Sequence, residues 1–254
     1  MLRSLLKYLP FVVLLAACSA DDKSSAMKEA PGSVNDKNPS RLNITLDSPQ
    51  SIEGSSFVMY SLPLNEALRE SETEYSGSSS VGRSPTYWDI LFYDAKSGNS
   101  HFLGGGKRMV IRSFESASSK MESDNSAKSG VEYPPTATGK LLFYLVGNHD
   151  FNRDGKLDGD DPSYLFSSDK SGLNFRQISP DYLHVTDWKI EKITGKILIS
   201  TLNDSNQDKL FDDQDESVPY VYDPDSQKPP VRVFDAAAIL KLQQRFQRMW
   251  LSNK

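Results

Sequence analysis

The chain has 254 residues, and its 29 basic and 34 acidic side chains give a formal net charge of −5. This mildly acidic balance lacks the basic excess of nucleic-acid-binding proteins, so nucleic acid is excluded as an expected partner. The single cysteine excludes an intrachain disulfide. Removal of a short leader would leave about 235 residues, enough for one sizeable domain or two small ones.

The amino-terminal segment has the features of an export signal. Arg3 and Lys7 supply positive charge, and the apolar run 9–17 is shorter than the about 20 residues that a membrane-spanning helix needs. Residues 15–18 read Leu-Ala-Ala-Cys and resemble the lipobox of bacterial lipoproteins. The resemblance implies cleavage before Cys18 and attachment of lipid to its thiol, which anchors the chain to a membrane. An ordinary signal peptide that contains a cysteine is the alternative.

The resemblance also implies a location and a domain order. The serine after the cysteine implies, by the sorting rule of that family, a cell-envelope protein of the outer membrane rather than the inner one. The next residues are polar and rich in Ser, Lys, Asp, Asn and Pro, which is typical of a disordered tether. We therefore predict a signal peptide (1–17), a lipidated cysteine with its tether (18–41), a β-repeat domain (42–234) and an amphipathic helix (235–254).

Two acidic segments, 150–161 and 204–215, follow one template. Each has oxygen-bearing side chains at positions 1, 3, 5, 9 and 12, the ligand spacing of the EF-hand calcium loop, with a backbone carbonyl expected at position 7. We predict two Ca²⁺ sites. The predicted ligands of the first are Asp150, Asn152, Asp154, Lys156 (through its carbonyl), Asp158 and Asp161. Those of the second are Asp204, Asn206, Asp208, Leu210 (through its carbonyl), Asp212 and Asp215, with Glu216 as a substitute bidentate ligand.

The two segments depart from the EF-hand pattern in two ways. Position 12 is Asp in both instead of Glu, which shortens the bidentate reach. Position 6, where the chain turns sharply, is Gly155 in the first segment but Lys209 in the second, so the lysine must adopt a glycine-like backbone. The alternative interpretation is a pair of acidic, turn-forming surface loops without metal.

The sequence beside both segments predicts strands, whereas an EF-hand has helices there. Short β-branched and aromatic runs lie at 140–146, 163–169, 196–202 and 217–223. The offset of 54 residues between the two acidic segments continues through the runs at 163–169 and 217–223, which indicates an internal repeat. A third copy, at 56–61 and 87–98, has a loop at 65–84 without the metal spacing. Each unit has a closing strand (100–103, 173–178, 231–234) and a candidate opening strand (41–46, 107–114, 182–190).

The segment from Ser163 to Trp188 resembles a blade of the TolB-like β-propellers, with its Asp-x-x-Gly turn, Pro-Asp turn and final Trp. The resemblance covers one blade well and two weakly, and the Trp-Ser-Pro-Asp-Gly signature of those repeats is absent. It implies a mainly β fold of three four-stranded antiparallel blade-like repeats. A partial propeller and an open meander both remain possible arrangements of these units.

The last segment predicts a helix, with Asp235 as its N-cap and an apolar face of Ile239, Leu242, Phe246 and Met249. We expect this helix to pack on the β body and cover an open edge. The alternatives are a partner-binding helix and contact with an anionic membrane surface. The last alternative rests on the basic residues Lys241, Arg245, Arg248 and Lys254.

No catalytic motif was found. The three histidines lie outside any metal or triad spacing, and phosphate-binding loops, Gly-x-Ser-x-Gly and His-Glu-x-x-His are absent from the sequence. The prediction is therefore a non-enzymatic, lipid-anchored, calcium-stabilised module that binds a protein or a glycan. A purely structural envelope lipoprotein is the first alternative, and a hydrolase on a β-propeller-like scaffold is the second.

Overall fold

A computed structural model describes residues 44–64, 85–117, 120, 137–226 and 228–251, all within one compact unit, Asn43–Lys254. The predicted signal peptide, Cys18 and the tether lie outside the described residues, as does the predicted metal-free loop at 65–84. Within the described part of the chain, no helix has both the length and the apolar character needed to cross a membrane.

The described chain is mainly β, with an α-helix near its end, as predicted. A 3₁₀ turn (Ala137–Lys140) precedes the sixth strand, and helix α1 (Ala236–Phe246) continues into a π-helical turn (Gln247–Leu251). The strands are β1 (Gln50–Ser51), β2 (Phe57–Pro63), β3 (Tyr87–Asp94), β4 (Ser100–Phe102), β5 (Val110–Ser116), β6 (Leu141–Gly147), β7 (Tyr164–Asp169), β8 (Arg176–Gln177), β9 (His184–Ile190), β10 (Ile197–Asn203), β11 (Glu216–Tyr222) and β12 (Val231–Arg232).

The strands form two antiparallel sheets. Successive strands pair within β1–β4, within β5–β8 and within β9–β12, and a single pairing of Tyr87 with Ile111 joins the first two groups. The sheets therefore have eight and four strands, the smaller in the order β12-β11-β10-β9. This pairing does not confirm three separate four-stranded repeats, because one bridge between β3 and β5 merges two of the predicted units.

Strand β6 contributes to both hydrophobic clusters of the described chain, one on each of its faces. Leu142, Tyr144 and Val146 belong to a hydrophobic cluster with residues of β2, β3 and β5. Phe143 belongs to a second cluster with the smaller sheet, where its ring lies 4.9 Å from that of Trp188. The continuous apolar run of β6 thus reflects burial on both sides, and each large side chain contributes about 1.5–3 kcal/mol to folding.

Three Asp residues begin turns of the same kind. The carboxylates of Asp94, Asp169 and Asp223 each accept a hydrogen bond from the amide two residues later, at 3.1, 2.9 and 3.1 Å. Hydrogen bonds from Ser56 and Ser97 also lower the pKa of Asp94 to about 2. These turns close the hairpins between the third and fourth strands of each group, because an ionised Asp accepts local amides readily.

Two expectations about the edges of the fold are wrong. The first opening strand was expected at 41–46, but 44–49 has no regular structure and pairing with β2 begins at Gln50. Helix α1 was expected to pack on the β body, but none of its residues is buried. Asp235 does cap the helix, since it accepts a 2.7 Å hydrogen bond from the Ala238 amide. The cap starts a helix locally, whereas packing needs a complementary surface on the body.

Candidate calcium loops

Both predicted calcium loops connect the second and third strands of their groups. The first, 150–161, joins β6 to β7, and the second, 204–215, joins β10 to β11. The two loops lie side by side, with the ring centres of Phe151 and Phe211 5.2 Å apart. The Lys209 ammonium of the second loop also donates a 3.2 Å hydrogen bond to the Asn152 carbonyl of the first.

The side chain at position 1 organises the turn of each loop. The Asp150 carboxylate accepts hydrogen bonds from the amides of Asp154, at 3.1 Å, and Gly155, at 2.9 Å. In the second loop Asp204 accepts one from the amide of Lys209 at 3.2 Å. The first carboxylate is thereby held at the inside of the loop, where an EF-hand loop places its first ligand.

The middle positions repeat the same pattern in both loops. Position 3 accepts from the amide at position 5, at 2.9 Å for Asn152 and 3.0 Å for Asn206. Position 5 accepts from the amide at position 7, at 2.8 Å for Asp154 and 2.9 Å for Asp208. Each carboxylate offers about four lone-pair sites, so an oxygen that accepts an amide can still ligate a cation.

The carboxylate at position 12 closes each loop. It accepts from the amides at positions 2 and 9, at 2.7 and 3.1 Å for Asp161 and at 2.9 and 3.3 Å for Asp215. Position 9 in turn accepts from the amide at position 11, at 3.0 Å for Asp158 and 2.8 Å for Asp212. The shorter Asp is therefore long enough to tie both ends of the loop together.

The backbone has the same conformation in the two loops. Position 4 has a φ of 66° at Arg153 and 64° at Gln207, and position 6 has 88° at Gly155 and 68° at Lys209. The prediction that Lys209 adopts a glycine-like backbone is confirmed. This conformation costs a non-glycine residue about 1–3 kcal/mol, so the second loop is the more strained of the two.

The carboxylates crowd one another. Asp161 is only 1% exposed, and burial raises its pKa, with the charges of Asp150 and Asp158 raising it further. In the second loop, Asp204 Oδ1 is sheltered from solvent and has no hydrogen-bond partner among the described residues. A buried carboxylate oxygen without a partner is costly, and a bound cation would remove that cost.

The remaining predicted ligands are placed as follows. Lys156 and Leu210 occupy position 7, where their carbonyls were expected to ligate. Glu216 begins β11 with an exposed side chain, so its neighbour Asp215 takes the position-12 role in the hydrogen-bond network. Within the described residues, no group of three or more His, Cys, Asp or Glu side chains is arranged to hold a metal ion.

An aromatic cluster between the loops was missed in the sequence. The ring of His184, on β9, stacks on Phe211 at 5.4 Å, and its Nδ1 accepts a 3.2 Å hydrogen bond from the Ser163 amide. Burial, and then the charge of Arg112, lower the pKa of His184 to about 4. Arg112 also donates to the Asp158 carbonyl of the first loop. The sequence indicates this cluster only through two aromatic residues, Phe151 at position 2 of the first loop and Phe211 at position 8 of the second.

A basic cleft lies between the turn after β4 and the β7–β8 hairpin. It is lined by the cations Lys107, Arg108 and Arg176, and no acidic side chain is among its described lining residues. Phe102 at its rim is 51% exposed, and His101 Nε2 is sheltered from solvent with no hydrogen-bond partner in the described residues. The cleft therefore combines positive charge, an exposed ring and an unsatisfied ring nitrogen.

Comparison with known proteins found no matching family model, no matching curated protein and no matching solved structure. The function of this chain therefore rests on its own residues.

Proposed function

We propose that the protein is a lipid-anchored cell-envelope protein whose β body binds two Ca²⁺ ions and is stabilised by them. The observation that carries this proposal is the repetition of one hydrogen-bond scaffold, position for position, in two loops 54 residues apart. Local Asx turns account for the bonds to positions 3, 5 and 9, which accept from the amide two residues on. In both loops, however, position 1 also accepts from the amide five residues on, and position 12 accepts from the amides ten and three residues back. A common ligand would account for this shared inward arrangement.

The chemistry of the donor set supports calcium. All the predicted ligands are oxygens, which hard cations prefer, and the two predicted carbonyl ligands complete about six oxygens per loop. Without a cation, carboxylates this close repel one another. A divalent ion would offset that repulsion, satisfy Asp204 Oδ1 and link the two strands that each loop joins.

Attachment to a membrane is part of the proposal. It is supported by the sequence Leu-Ala-Ala-Cys at 15–18 and by the single cysteine. Incorporation of labelled palmitate into the parent, and its loss in Cys18→Ser, would test it. We also propose that β1–β4, β5–β8 and β9–β12 are blade-like units, supported by their consecutive antiparallel order and shared Asp turns.

The basic cleft favours a binding module over a purely structural lipoprotein. The cleft has three cations and no described acidic lining residue on a chain with a net charge of −5, so it suits an anionic group of an envelope glycan or protein. A purely structural role remains the alternative. A hydrolase on the same scaffold is the further alternative, and no observation of the described residues favours it.

Calcium titration of the full chain by calorimetry tests the metal sites. We expect two sites in the micromolar-to-millimolar range, and a melting temperature that rises with calcium because the ion binds only the folded state. Asp150→Ala with Asp204→Ala should remove both effects. The matched control is Asp187→Ala, which removes an exposed carboxylate of β9 outside both loops. The metal proposal fails if the double variant titrates and melts like the parent.

Capture of envelope components by the immobilised protein, with and without a chelator, separates the binding and structural alternatives. Lys107→Gln with Arg108→Gln neutralises the cleft, and Lys189→Gln with Lys228→Gln is the control for the same change in charge on exposed side chains elsewhere. A binding module loses its captured anionic component only in the cleft variant. A structural protein captures nothing that depends on the cleft.

A further inference from the structure

Helix α1 and its π-helical turn expose their apolar side chains. The exposed fraction is 53% for Leu242, 57% for Phe246, 56% for Met249 and 68% for Trp250. No residue of the segment is buried by the rest of the described chain. A cluster of this size is normally covered in a soluble protein, so something outside the described residues is expected to cover it.

The segment is amphipathic. Ile239, Leu242 and Phe246 recur at spacings of three and four residues and therefore share one face of the helix. Lys241 and Arg245 are four residues apart on another face, and the π-helical turn adds one more cation, Arg248. The helix thus separates an apolar face from a basic one.

The charge of this segment is opposite to that of the whole chain. From 236 to 254 the sequence contains four basic residues and no acidic one, while the formal net charge of the chain is −5. A partner that covers an apolar face beside a row of cations must itself offer apolar depth beneath an anionic surface. An anionic phospholipid bilayer has this composition.

We propose that α1 and its π-helical turn lie in the interface of an anionic phospholipid membrane, with the apolar face in the acyl boundary and the cations at the headgroups. Trp250 supports this orientation, because an indole ring favours the boundary between apolar and wet regions. The helix would hold the end of the β body against the membrane surface.

The two other possible occupants fit less well. A second copy of the helix would cover the apolar face but would offer no acidic residue to the three described cations. A helix-binding groove in a protein covers a narrow face, whereas Leu240 and Leu251 are also more than half exposed and widen the apolar surface here. Contact of the helix with the membrane requires neither calcium binding nor the lipidation of Cys18.

The test uses the full chain with Cys18→Ser in every variant, so that any effect of the leader is common to all. Vesicles of phosphatidylcholine alone are compared with vesicles that also contain phosphatidylglycerol. The fluorescence of Trp250 is obtained as the difference between this parent and Trp250→Phe. We expect a blue shift and quenching by brominated acyl chains on the anionic vesicles only.

Charge neutralisation gives a second measurement. Lys241→Gln, Arg245→Gln and Arg248→Gln together should weaken binding to the anionic vesicles, read from the Trp250 signal, on the order of a hundredfold, since each surface cation contributes about fivefold. The matched control, Lys96→Gln with Lys189→Gln and Lys228→Gln, removes three exposed lysines of the β body and should bind like the parent.

Three outcomes would overturn the inference. In the first, Trp250 emission does not change on anionic vesicles even though the chain sediments with them. In the second, the helix variant and its control bind equally. In the third, the Trp250 signal changes with protein concentration in the absence of lipid, which identifies a second copy as the occupant. Calcium titration of the same samples reports separately on the metal sites, so failure of one does not imply failure of the other.

Discussion

The loops 150–161 and 204–215 share one hydrogen-bond scaffold but occupy different environments. In the first, Leu157 and Asp161 are buried, and a glycine occupies the left-handed position 6. In the second, Phe211, at the position of Leu157, is half-buried, as is Asp215, and Lys209 takes the strained position. One template can therefore give a preorganised loop and a looser one, depending on what packs beneath it.

The largest difference in stability between the two loops is expected when the carboxylate at position 12 is removed. Asp161→Ala leaves two amides of the first loop, one of them at the buried Asp158, without an acceptor, which costs about 2–5 kcal/mol. Asp215→Ala should cost less than half of that, because water can replace its bonds in the more exposed loop. Urea denaturation at saturating calcium measures both values. The control is Asp213→Ala, an exposed non-ligand residue of the second loop, and equal losses at positions 161 and 215 would contradict the comparison.

An intermediate effect on stability is expected from the protonation of His184, whose ring stacks on Phe211 of the second loop. Its folded-state pKa of about 4 is below the unfolded value of about 6.5, so the neutral ring stabilises the fold at high pH. The free energy of unfolding, measured with a chelator present, should be level above about pH 6.5 and fall between pH 6.5 and 4, by about 1.4 kcal/mol per pKa unit at most.

His184→Phe keeps a ring against Phe211 and should reduce this acid dependence. His149→Gln is the control, because it removes a histidine beside the first loop. An unchanged acid limb in His184→Phe would show that other groups produce it.

The smallest effect is expected at position 6. A methyl group added to Gly155 meets no atom within 4 Å, so Gly155→Ala should cost only the strain of its backbone, about 1–2 kcal/mol. The free energy of unfolding should fall by this amount, because the left-handed backbone is already present in the loop, and urea denaturation with a chelator present measures it. Gly159→Ala, which also meets no atom and has no positive φ, is the control. No change in stability would mean that position 6 does not distinguish the two loops.

Much of the local structure was predictable. Short apolar runs and Asp turns predicted the strands from β2 onward to within a few residues, and the repeat of 54 residues predicted two loops with one geometry. The prediction of the first opening strand was wrong because residues 44–49 are irregular and largely exposed, and local propensity does not distinguish such a segment from an edge strand.

Contacts between distant parts of the chain were not predictable. The Tyr87–Ile111 bridge that merges two strand groups depends on how those groups approach each other. The pairing of the two loops through Phe151 and Phe211 depends on the packing of β6 and β7 against the smaller sheet. Neither contact leaves a periodic pattern in the sequence.

The sequence by itself determined the alternation of strands and turns, the oxygen spacing of the loops and the capped, amphipathic helix, because each of these depends on neighbours within about twelve residues. Only the tertiary structure decided that β6 is buried on both faces, that His184 lies between the loops and that α1 is uncovered by the described chain. The physical reason is that burial and strand pairing depend on which surfaces meet, and residues that are distant in the sequence form those contacts.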